Sequence, residues 1–123
     1  VDHPTVVVIL IGGRLYKHSI VSVGAAAVEA MSHIRADIYF MGVTGVHPTA
    51  GLSTGDLEEA YIKRALAARA AETVVLASAA KLNAASQYAI GDITLAHTII
   101  VERATDDALI APLQQAGVSV LKA

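Results

Sequence analysis

The stretch from Val43 to Lys81 constrains the fold of this chain more than any other segment. It begins with a glycine-punctuated loop, continues with a helix that has an acidic start, and enters a buried strand that ends shortly before Lys81. In open α/β proteins, ligands bind outside the carboxyl ends of parallel strands, on the loops that follow them. Two such loops, residues 44–55 and 78–85, lie in this stretch. We therefore expect any small-molecule site to lie here.

Short β-branched and aliphatic runs alternate with helical segments along the rest of the chain. Runs of this kind are typical of strands buried on both faces. We predict strands at residues 5–11, 37–43, 73–77, 87–90, 98–102 and 118–121. We predict helices at residues 22–34, 56–71 and from Asp106 to a cap at Gly117. This alternation predicts an α/β fold with three αβα layers and a mostly parallel, Rossmann-like sheet.

Several local features are also predicted. Ser22 is expected to cap the first helix, after a polar loop at residues 14–19. Pro112 is expected to lie in the first turn of the last helix or to mark the true start of that helix. In the central helix, an apolar stripe is expected to face the core. Its members would be Leu57, Tyr61, Ala65 and Ala68, with Ile62, Leu66 and Ala70 beside them. Turns are expected at Gly45, Pro48, Gly51 and Gly55.

Composition excludes several classes of function. No apolar run approaches the roughly 20 residues that a membrane-spanning helix requires. The net charge is −2 with only 9 Lys and Arg, which argues against a nucleic-acid footprint on this segment. The chain has no cysteine, which excludes disulfides and thiolate metal sites and is compatible with a cytoplasmic location. We expect no cofactor and no membrane contact.

The chemical motifs are sparse. Gly12 and Gly13 follow a strand like half of a phosphate-binding turn, but the full dinucleotide fingerprint is missing, and a simple turn is the commoner outcome. The five histidines share no metal-binding spacing, so zinc is not expected. His47 could act as an acid or base, or could simply be a loop side chain. No nucleophile elbow is present.

The central helix and the lysine after the next strand are the more informative candidates. Asp56, Glu58 and Glu59 complement the helix dipole and disfavour a phosphate at that terminus. Glu59 either pairs with Lys63 one turn later or accepts hydrogen bonds from ligand hydroxyls, and spacing alone favours the pairing. Lys81, among alanines and serines, is equally consistent with a surface lysine and with a contact to an anionic ligand.

The chain resembles the C-terminal effector-sensing domain of DeoR-type transcriptional repressors. The resemblance covers essentially the whole chain, in ILIGGRLYKHSIVSVG, DIYFMGVTGVHPTAGLSTGDLEEAYIKRAL, VVLASAAKLN and the closing GVSVLKA. Its most specific parts are the segment from Gly51 through Arg64, with Glu-Ala-x-x-Lys-Arg, and the Leu-Ala-x-x-x-Lys segment that ends at Lys81. The resemblance implies a fold shared with sugar-phosphate isomerases, amino-sugar-phosphate deaminases and CoA-transferases.

The resemblance also implies a function. In the family, a phosphorylated sugar or related metabolite binds the sensor and loosens an N-terminal winged helix-turn-helix from DNA. Thr44 and Thr54 would then bind effector hydroxyls, Glu59 would hold a sugar hydroxyl, and Lys81 would meet the anionic end. The candidate effector-binding residues are Gly12, Gly13, Thr44, Gly45, Thr54, Glu59, Lys63 and Lys81.

Two departures from the family pattern bear on catalysis. Ser78 and Thr44 stand where family members commonly have aspartates, and neither hydroxyl acts as a general base near neutral pH without an activating partner. This favours a sensor over an enzyme. A sugar-phosphate isomerase or deaminase relative is the alternative, and a module that serves mainly for oligomerisation is a third interpretation.

The chain opens on VDHPTVVV, directly before a predicted strand. We therefore expect residues 1–123 to be a sensor domain that lacks its first part and its DNA-binding domain. A strand without its upstream neighbours would leave a sheet edge or apolar face uncovered, so we expect a homo-oligomer, at least a dimer. DNA would be contacted only through the missing domain.

Overall fold

The computed structural model describes residues 14–16, 21–23, 29 and 32–123. Strands and helices alternate in the described part, with two short 3₁₀ turns at Ala79–Lys81 and Ile93–Leu95. The strands are β1 (Arg14–Tyr16), β2 (Val21–Val23), β3 (Ala36–Gly42), β4 (Gly45–His47), β5 (Gly51–Thr54), β6 (Ala70–Ala77), β7 (Tyr88–Gly91), β8 (Thr98–Val101) and β9 (Ser119–Lys122). The helices are α1 (Leu57–Arg69) and α2 (Asp107–Gln115).

The main sheet confirms the predicted α/β class. Its four strands are all parallel and lie in the order β3-β6-β8-β9. Met41 pairs with Val75, and Val75 pairs with Ile99, so these three side chains form one row on one face. Parallel neighbours require crossover connections. Helix α1 lies in the crossover from β3 to β6 and α2 in the crossover from β8 to β9, whereas β7 and the two 3₁₀ turns lie between β6 and β8. The carboxyl ends of the strands therefore share one edge, where the loops after β3, β6 and β8 meet.

A second, smaller sheet replaces what was predicted as turns alone, and that prediction was wrong. β4 and β5 form an antiparallel hairpin, and β7 pairs with the other side of β5. Strands this short carry too little alternation to be read from sequence, and their pairing is fixed by tertiary contacts. The predicted turn at Pro48 is present, and Gly51 follows it as the first residue of β5, with a φ of +79° that favours glycine.

Helix α1 begins where predicted, but it buries a different face. The Asp56 carboxylate accepts a hydrogen bond from the Glu59 N–H at 3.0 Å and caps the helix. Leu57 and Tyr61, expected to face the core, are exposed. The buried residues are Glu59, Ala60, Ile62 and Ala67. The apolar residues of this alanine-rich helix are distributed around its whole circumference, so its sequence does not define a single inward face.

The C-terminal part follows the prediction within about one residue, apart from Pro112. The Asp106 carboxylate accepts a hydrogen bond from the Ala108 N–H at 3.0 Å and caps α2. Pro112 therefore lies in the middle of this helix and not in its first turn. Proline has no N–H, so one intrahelical bond is lost there. Gly117, with φ +102°, ends the helix as predicted.

The N-terminal predictions fare differently. The strand at residues 5–11, Gly12 and Gly13 lie outside the described residues. Residues Arg14–Tyr16, predicted as loop, form β1, and Ser22 lies in β2 opposite Leu15. Ser22 is therefore not a helix cap, because the β-branched Val21 and Val23 beside it favour a strand. Ile34 lies beyond the turn at Ser32, so the predicted helix does not reach it.

The hydrophobic core lies between the main sheet, both helices and the small sheet. It includes Met41, Val75, Ile99, Leu52, Ile90, Ala60 and Leu113. The opposite face of the main sheet carries Ile38, Phe40, Leu76 and Leu121, which are 48%, 60%, 48% and 55% exposed. The third layer of the predicted αβα arrangement thus stays a prediction. No helix within the described residues is long and apolar enough to cross a membrane.

Candidate functional site

Four ionisable side chains are grouped near the carboxyl ends of β3 and β6. Glu59 and Lys63 lie one turn apart on α1, Lys81 lies in the 3₁₀ turn after β6, and Tyr39 lies on β3. Glu59, Lys63 and Lys81 are three of the predicted site residues; the charge of Glu59 acts on Tyr39 and Lys63, and the charge of Lys81 acts on Lys63. The fold therefore brings together residues that are 22 positions apart in the sequence, from Glu59 to Lys81.

Lys63 links α1 to the end of β3. Its ammonium donates a 2.7 Å hydrogen bond to the carbonyl oxygen of Gly42, the last residue of that strand. Burial lowers the pKa of Lys63 below 10.5, and the positive charge of Lys81 lowers it further, whereas the carboxylate of Glu59 raises it. Lys63 and Lys81 thus place two interacting cations at this edge of the sheet, which also carries the carboxylates of Glu59 and Glu102. The local positive charge of the two lysines favours an anion between them.

Glu59 and Tyr39 form the deeper part of this group. Glu59 is only 8% exposed. Burial raises the pKa of Tyr39 to about 12, and the negative charge of Glu59 contributes to the shift. The Tyr39 hydroxyl is therefore protonated at neutral pH and can donate a hydrogen bond. Sequence reasoning missed Tyr39, because one tyrosine in an apolar strand has no chemical signature.

Lys81 is the half-buried cation of the loop after β6. Among the described residues, its ammonium has no hydrogen-bond or ion-pair partner. The turn that carries it is closed by hydrogen bonds from the Lys81 N–H to the Ser78 carbonyl at 3.0 Å and from the Leu82 N–H to the Ala79 carbonyl at 3.2 Å. An unpartnered ammonium on a defined turn is suited to contact an anionic ligand.

A cluster of hydroxyls lies on β5 and on the loops that follow β3 and β6. Thr44 and Ser86 have their hydroxyl oxygens 2.5 Å apart, and the Ser86 N–H donates to the Ser53 hydroxyl at 2.8 Å. Thr44, a predicted site residue, is exposed and therefore accessible to a ligand. Ser53 and Ser86 were missed, because their proximity depends on the pairing of the small sheet. Thr54 is only 3% exposed and lies in β5 opposite Tyr88.

Gly45 is required by close packing. A Cβ atom at this position would lie 2.5 Å from the Ser53 hydroxyl and 2.7 Å from the carbonyl oxygen of Ala84. Both distances are too short for real Cβ contacts. Gly45 is buried and lets the loop before β7 approach β4. Gly12 and Gly13, the other predicted glycines, lie outside the described residues.

His47 organises a turn. Its Nδ1 atom accepts hydrogen bonds from the N–H groups of Thr49 and Ala50, both at 3.1 Å. Because two backbone N–H groups already engage Nδ1, the structure supports a role of His47 in shaping the loop over a role in acid–base chemistry. Within the described residues, no group of three or more His, Cys, Asp or Glu side chains is arranged to hold a metal ion.

An open surface depression of about 350 Å³ lies at the other end of the sheet. Its lining includes Arg35, Asp37 and Arg69, and it contains none of the predicted site residues. Arg69 already donates to the Ile34 carbonyl at 2.9 Å. The depression lies at the amino ends of β3 and β6, away from the edge where ligands of open α/β sheets bind. We therefore place the candidate site at the carboxyl edge.

Comparison with known proteins identifies the family. The sequence model of the DeoR C terminal sensor domain matches residues 1–103. The chain belongs to this family. The expectation drawn from the residue pattern is confirmed on this point.

The relatives of this DeoR sensor domain are transcriptional regulators. The chain is 35% identical to the HTH-type transcriptional regulator FruR of Bacillus subtilis over 80% of the chain and 40% of that protein. It is 29% identical to the HTH-type transcriptional regulator GolR of Listeria innocua over 97% of the chain and 47% of that protein. It is 26% identical to the HTH-type transcriptional repressor GlcR of Bacillus subtilis over 98% of the chain and 46% of that protein. The chain thus spans about half the length of the curated relatives it matches.

The Glu-Ala-x-x-Lys-Arg segment of this sensor domain combines site residues with an anchor. Ala60 packs in the core, whereas Glu59 and Lys63 lie at the candidate site. Arg64 donates to the carbonyl oxygens of Ile90 at 2.8 Å and Ala89 at 2.9 Å. These bonds attach α1 to β7, so the helix presents Glu59 and Lys63 to the carboxyl edge from a fixed position. The arginine is thus a structural part of the motif.

Proposed function

We propose that this chain is the effector-sensing part of a transcriptional repressor, and that its effector is a phosphorylated sugar or a related metabolite. Residues 1–123 would then lack the first part of the sensor and a winged helix-turn-helix, which would lie elsewhere in the full-length protein and contact DNA. A regulator of this kind acts in the cytoplasm, where the DNA is. The family and the names of its relatives support this proposal.

The observation that carries the proposal is the proximity of two lysines to a buried carboxylate at one edge of the sheet. Lys63 and Lys81 are close enough to affect each other electrostatically, and Glu59 lies beside them. A phosphate placed between the two ammonium groups would relieve their repulsion through charge-assisted hydrogen bonds. Glu59 would accept a hydrogen bond from a sugar hydroxyl, and Tyr39 would donate one. This division suits a molecule with an anionic end and a hydroxylated end.

The hydroxyl groups of the neighbouring loops complete the proposed site. Thr44 is exposed and would bind an effector hydroxyl. Thr54 is buried within β5, so its side chain would contact the effector only from the interior side of the site. Gly45 would contribute by close packing of the loop, and Gly12 and Gly13 remain proposed through the family resemblance alone.

We propose that the site binds its effector without converting it. Isomerases and deaminases need a general base aimed at the substrate, and the hydroxyl of Thr44 is paired with another hydroxyl, Ser86. The enzyme alternative rests on one observation, the buried carboxylate of Glu59 near the protonated Tyr39. These two groups could exchange a proton with a substrate.

A screen of sugar phosphates separates the two possibilities. Calorimetric titration of the chain with hexose and pentose phosphates should show saturable binding for at least one of them and none for the unphosphorylated sugar. Incubation with the bound compound should return it unchanged. Binding of the neutral sugar with equal affinity would contradict the role of the lysines, and turnover would favour the enzyme.

We also propose that the chain forms at least a homodimer. Ile38, Phe40, Leu76 and Leu121 lie on one face of the parallel sheet and are each about half exposed. Apolar groups concentrated on one face are typical of surfaces that are covered by a partner. A module that serves mainly for oligomerisation would show the same association but would bind no sugar phosphate.

A further inference from the structure

The residue at the N-cap position of the turn that carries Lys81 does not cap it with its side chain. Ser78 precedes the Ala79–Lys81 turn and makes no side-chain capping hydrogen bond. The carboxylate of Glu102 takes that place, since its Oε1 atom accepts a hydrogen bond from the Ala79 N–H at 3.1 Å. Glu102 directly follows β8, whose neighbour in the sheet is β6. The bond therefore joins the loops after two adjacent parallel strands.

Asn83 fixes the other end of the same turn. It has a positive φ of 59°, which asparagine tolerates better than most residues. Its N–H donates to the Val46 carbonyl at 2.6 Å, and its side-chain amide donates to the Leu109 carbonyl at 3.1 Å. The turn is thus attached to β4 and to α2 just after Lys81.

We infer that Glu102 and Asn83 are positioning residues that fix where Lys81 presents its ammonium group. This inference rests on the proposed function, in which Lys81 contacts the anionic end of the effector. The turn has only two internal hydrogen bonds, so its position depends on these outside attachments. Loss of either one would let the backbone of Lys81 move and would weaken anion binding.

Two substitutions can separate a role of Glu102 as a hydrogen-bond acceptor from a role of its negative charge. Glu102→Gln keeps an acceptor for the Ala79 N–H and removes the negative charge, whereas Glu102→Ala removes both. If Glu102 acted only through its charge, both substitutions would raise the affinity for an anion. If it positions the turn, Glu102→Gln should behave like the unmodified chain and Glu102→Ala should bind less tightly.

The first arm of the test needs no ligand. Amide hydrogen exchange of the chain should show faster exchange at Ala79 and Lys81 in Glu102→Ala, with unchanged exchange in β6 and β8. Glu102→Gln should match the unmodified chain, as should Glu72→Ala, which removes an exposed carboxylate at another place in the main sheet. Equal protection of the turn in Glu102→Ala would overturn the inference, whatever the effector is.

The second arm uses inorganic phosphate as the probe, followed by calorimetric or ³¹P NMR titration. Glu102→Ala should weaken phosphate binding by about three- to tenfold, the loss expected for one misplaced charged contact. Asn83→Gly, which keeps the backbone conformation but removes the bond to Leu109, should also weaken it. Unchanged affinity in both variants would overturn the inference. If the unmodified chain binds neither inorganic phosphate nor a sugar phosphate, the proposed function fails, and the exchange arm alone decides the positioning role.

Discussion

The Lys63 ammonium donates a 2.7 Å hydrogen bond to the Gly42 carbonyl and so joins α1 to the carboxyl end of β3. This bond holds a partly buried cation beside Glu59 and within the electrostatic reach of Lys81. Burial and Lys81 keep the pKa of Lys63 below its usual 10.5. The candidate site therefore contains a lysine whose protonation will respond to a bound anion.

Anion binding should be accompanied by proton uptake in alkaline solution. A phosphate beside Lys63 would raise its lowered pKa, so between the free and bound values the complex holds more protons than the free chain. Titrations with a bound sugar phosphate at alkaline pH, in buffers of different ionisation enthalpy, measure this uptake. Lys63→Arg should abolish it, because arginine stays charged. The same uptake in Lys63→Arg would assign the proton to another group.

Tyr39 should make stability fall at high pH. In the folded chain its pKa is raised to about 12, so as the pH rises past about 10 the unfolded chain loses this proton first. The free energy of unfolding should decrease between pH 10 and 12, by no more than about 2 kcal/mol for a partly exposed group. Tyr39→Phe should show a smaller decrease in urea unfolding. Parallel curves for the two proteins would contradict the assignment.

Gly45→Ala should destabilise the chain by about 1–3 kcal/mol, because the added methyl group would meet Ser53 and the Ala84 backbone. Gly55→Ala is the matched control, since a Cβ atom there would have nothing within 4 Å. Urea unfolding of both variants measures the difference. Equal stability of the two variants would show that the loop before β7 shifts away easily, and the account of Gly45 would be wrong.

Phe40→Ser should shift the proposed homodimer toward monomer. Phe40 is 60% exposed on β3, at the edge of the apolar sheet face, so a polar residue there removes apolar area from the proposed interface. Tyr61→Ser is the control, because Tyr61 is a comparably exposed aromatic residue on α1 at 56%. Light scattering over a dilution series checks the outcome. A monomeric unmodified chain, or a dimer that both variants leave intact, would argue against this face.

The parallel sheet could be predicted because β6 and β8 contain continuous β-branched and aliphatic runs and because strands alternate with helices along the chain. Residues 73–77 and 98–102 need no long-range information to be assigned as strands. The hairpin of β4 and β5 could not be predicted from the sequence, since its short strands form only through pairing with each other and with β7. For the same reason, Ser22 was assigned to a helix although it lies in β2.

The candidate site was only partly predictable. Glu59, Lys63 and Lys81 lie on elements with clear boundaries, so their proximity followed from the fold. Tyr39 and Glu102 act through burial and through a contact to the backbone, neither of which leaves a residue pattern. The inward face of α1 was also missed, because a buried carboxylate looks like a surface residue in a sequence.

The most direct test of the central claim is the affinity of Lys81→Ala for a sugar phosphate that binds the unmodified chain. Lys122→Ala is the matched control, because Lys122 pairs with Asp107 at 2.7 Å on β9 and belongs to no proposed site. Calorimetry should show a loss of about tenfold or more for Lys81→Ala, with little change in melting temperature and unchanged affinity for Lys122→Ala. Unchanged affinity in Lys81→Ala, or a large fall in its melting temperature without a loss of affinity, would make Lys81 structural and would contradict the proposed effector site.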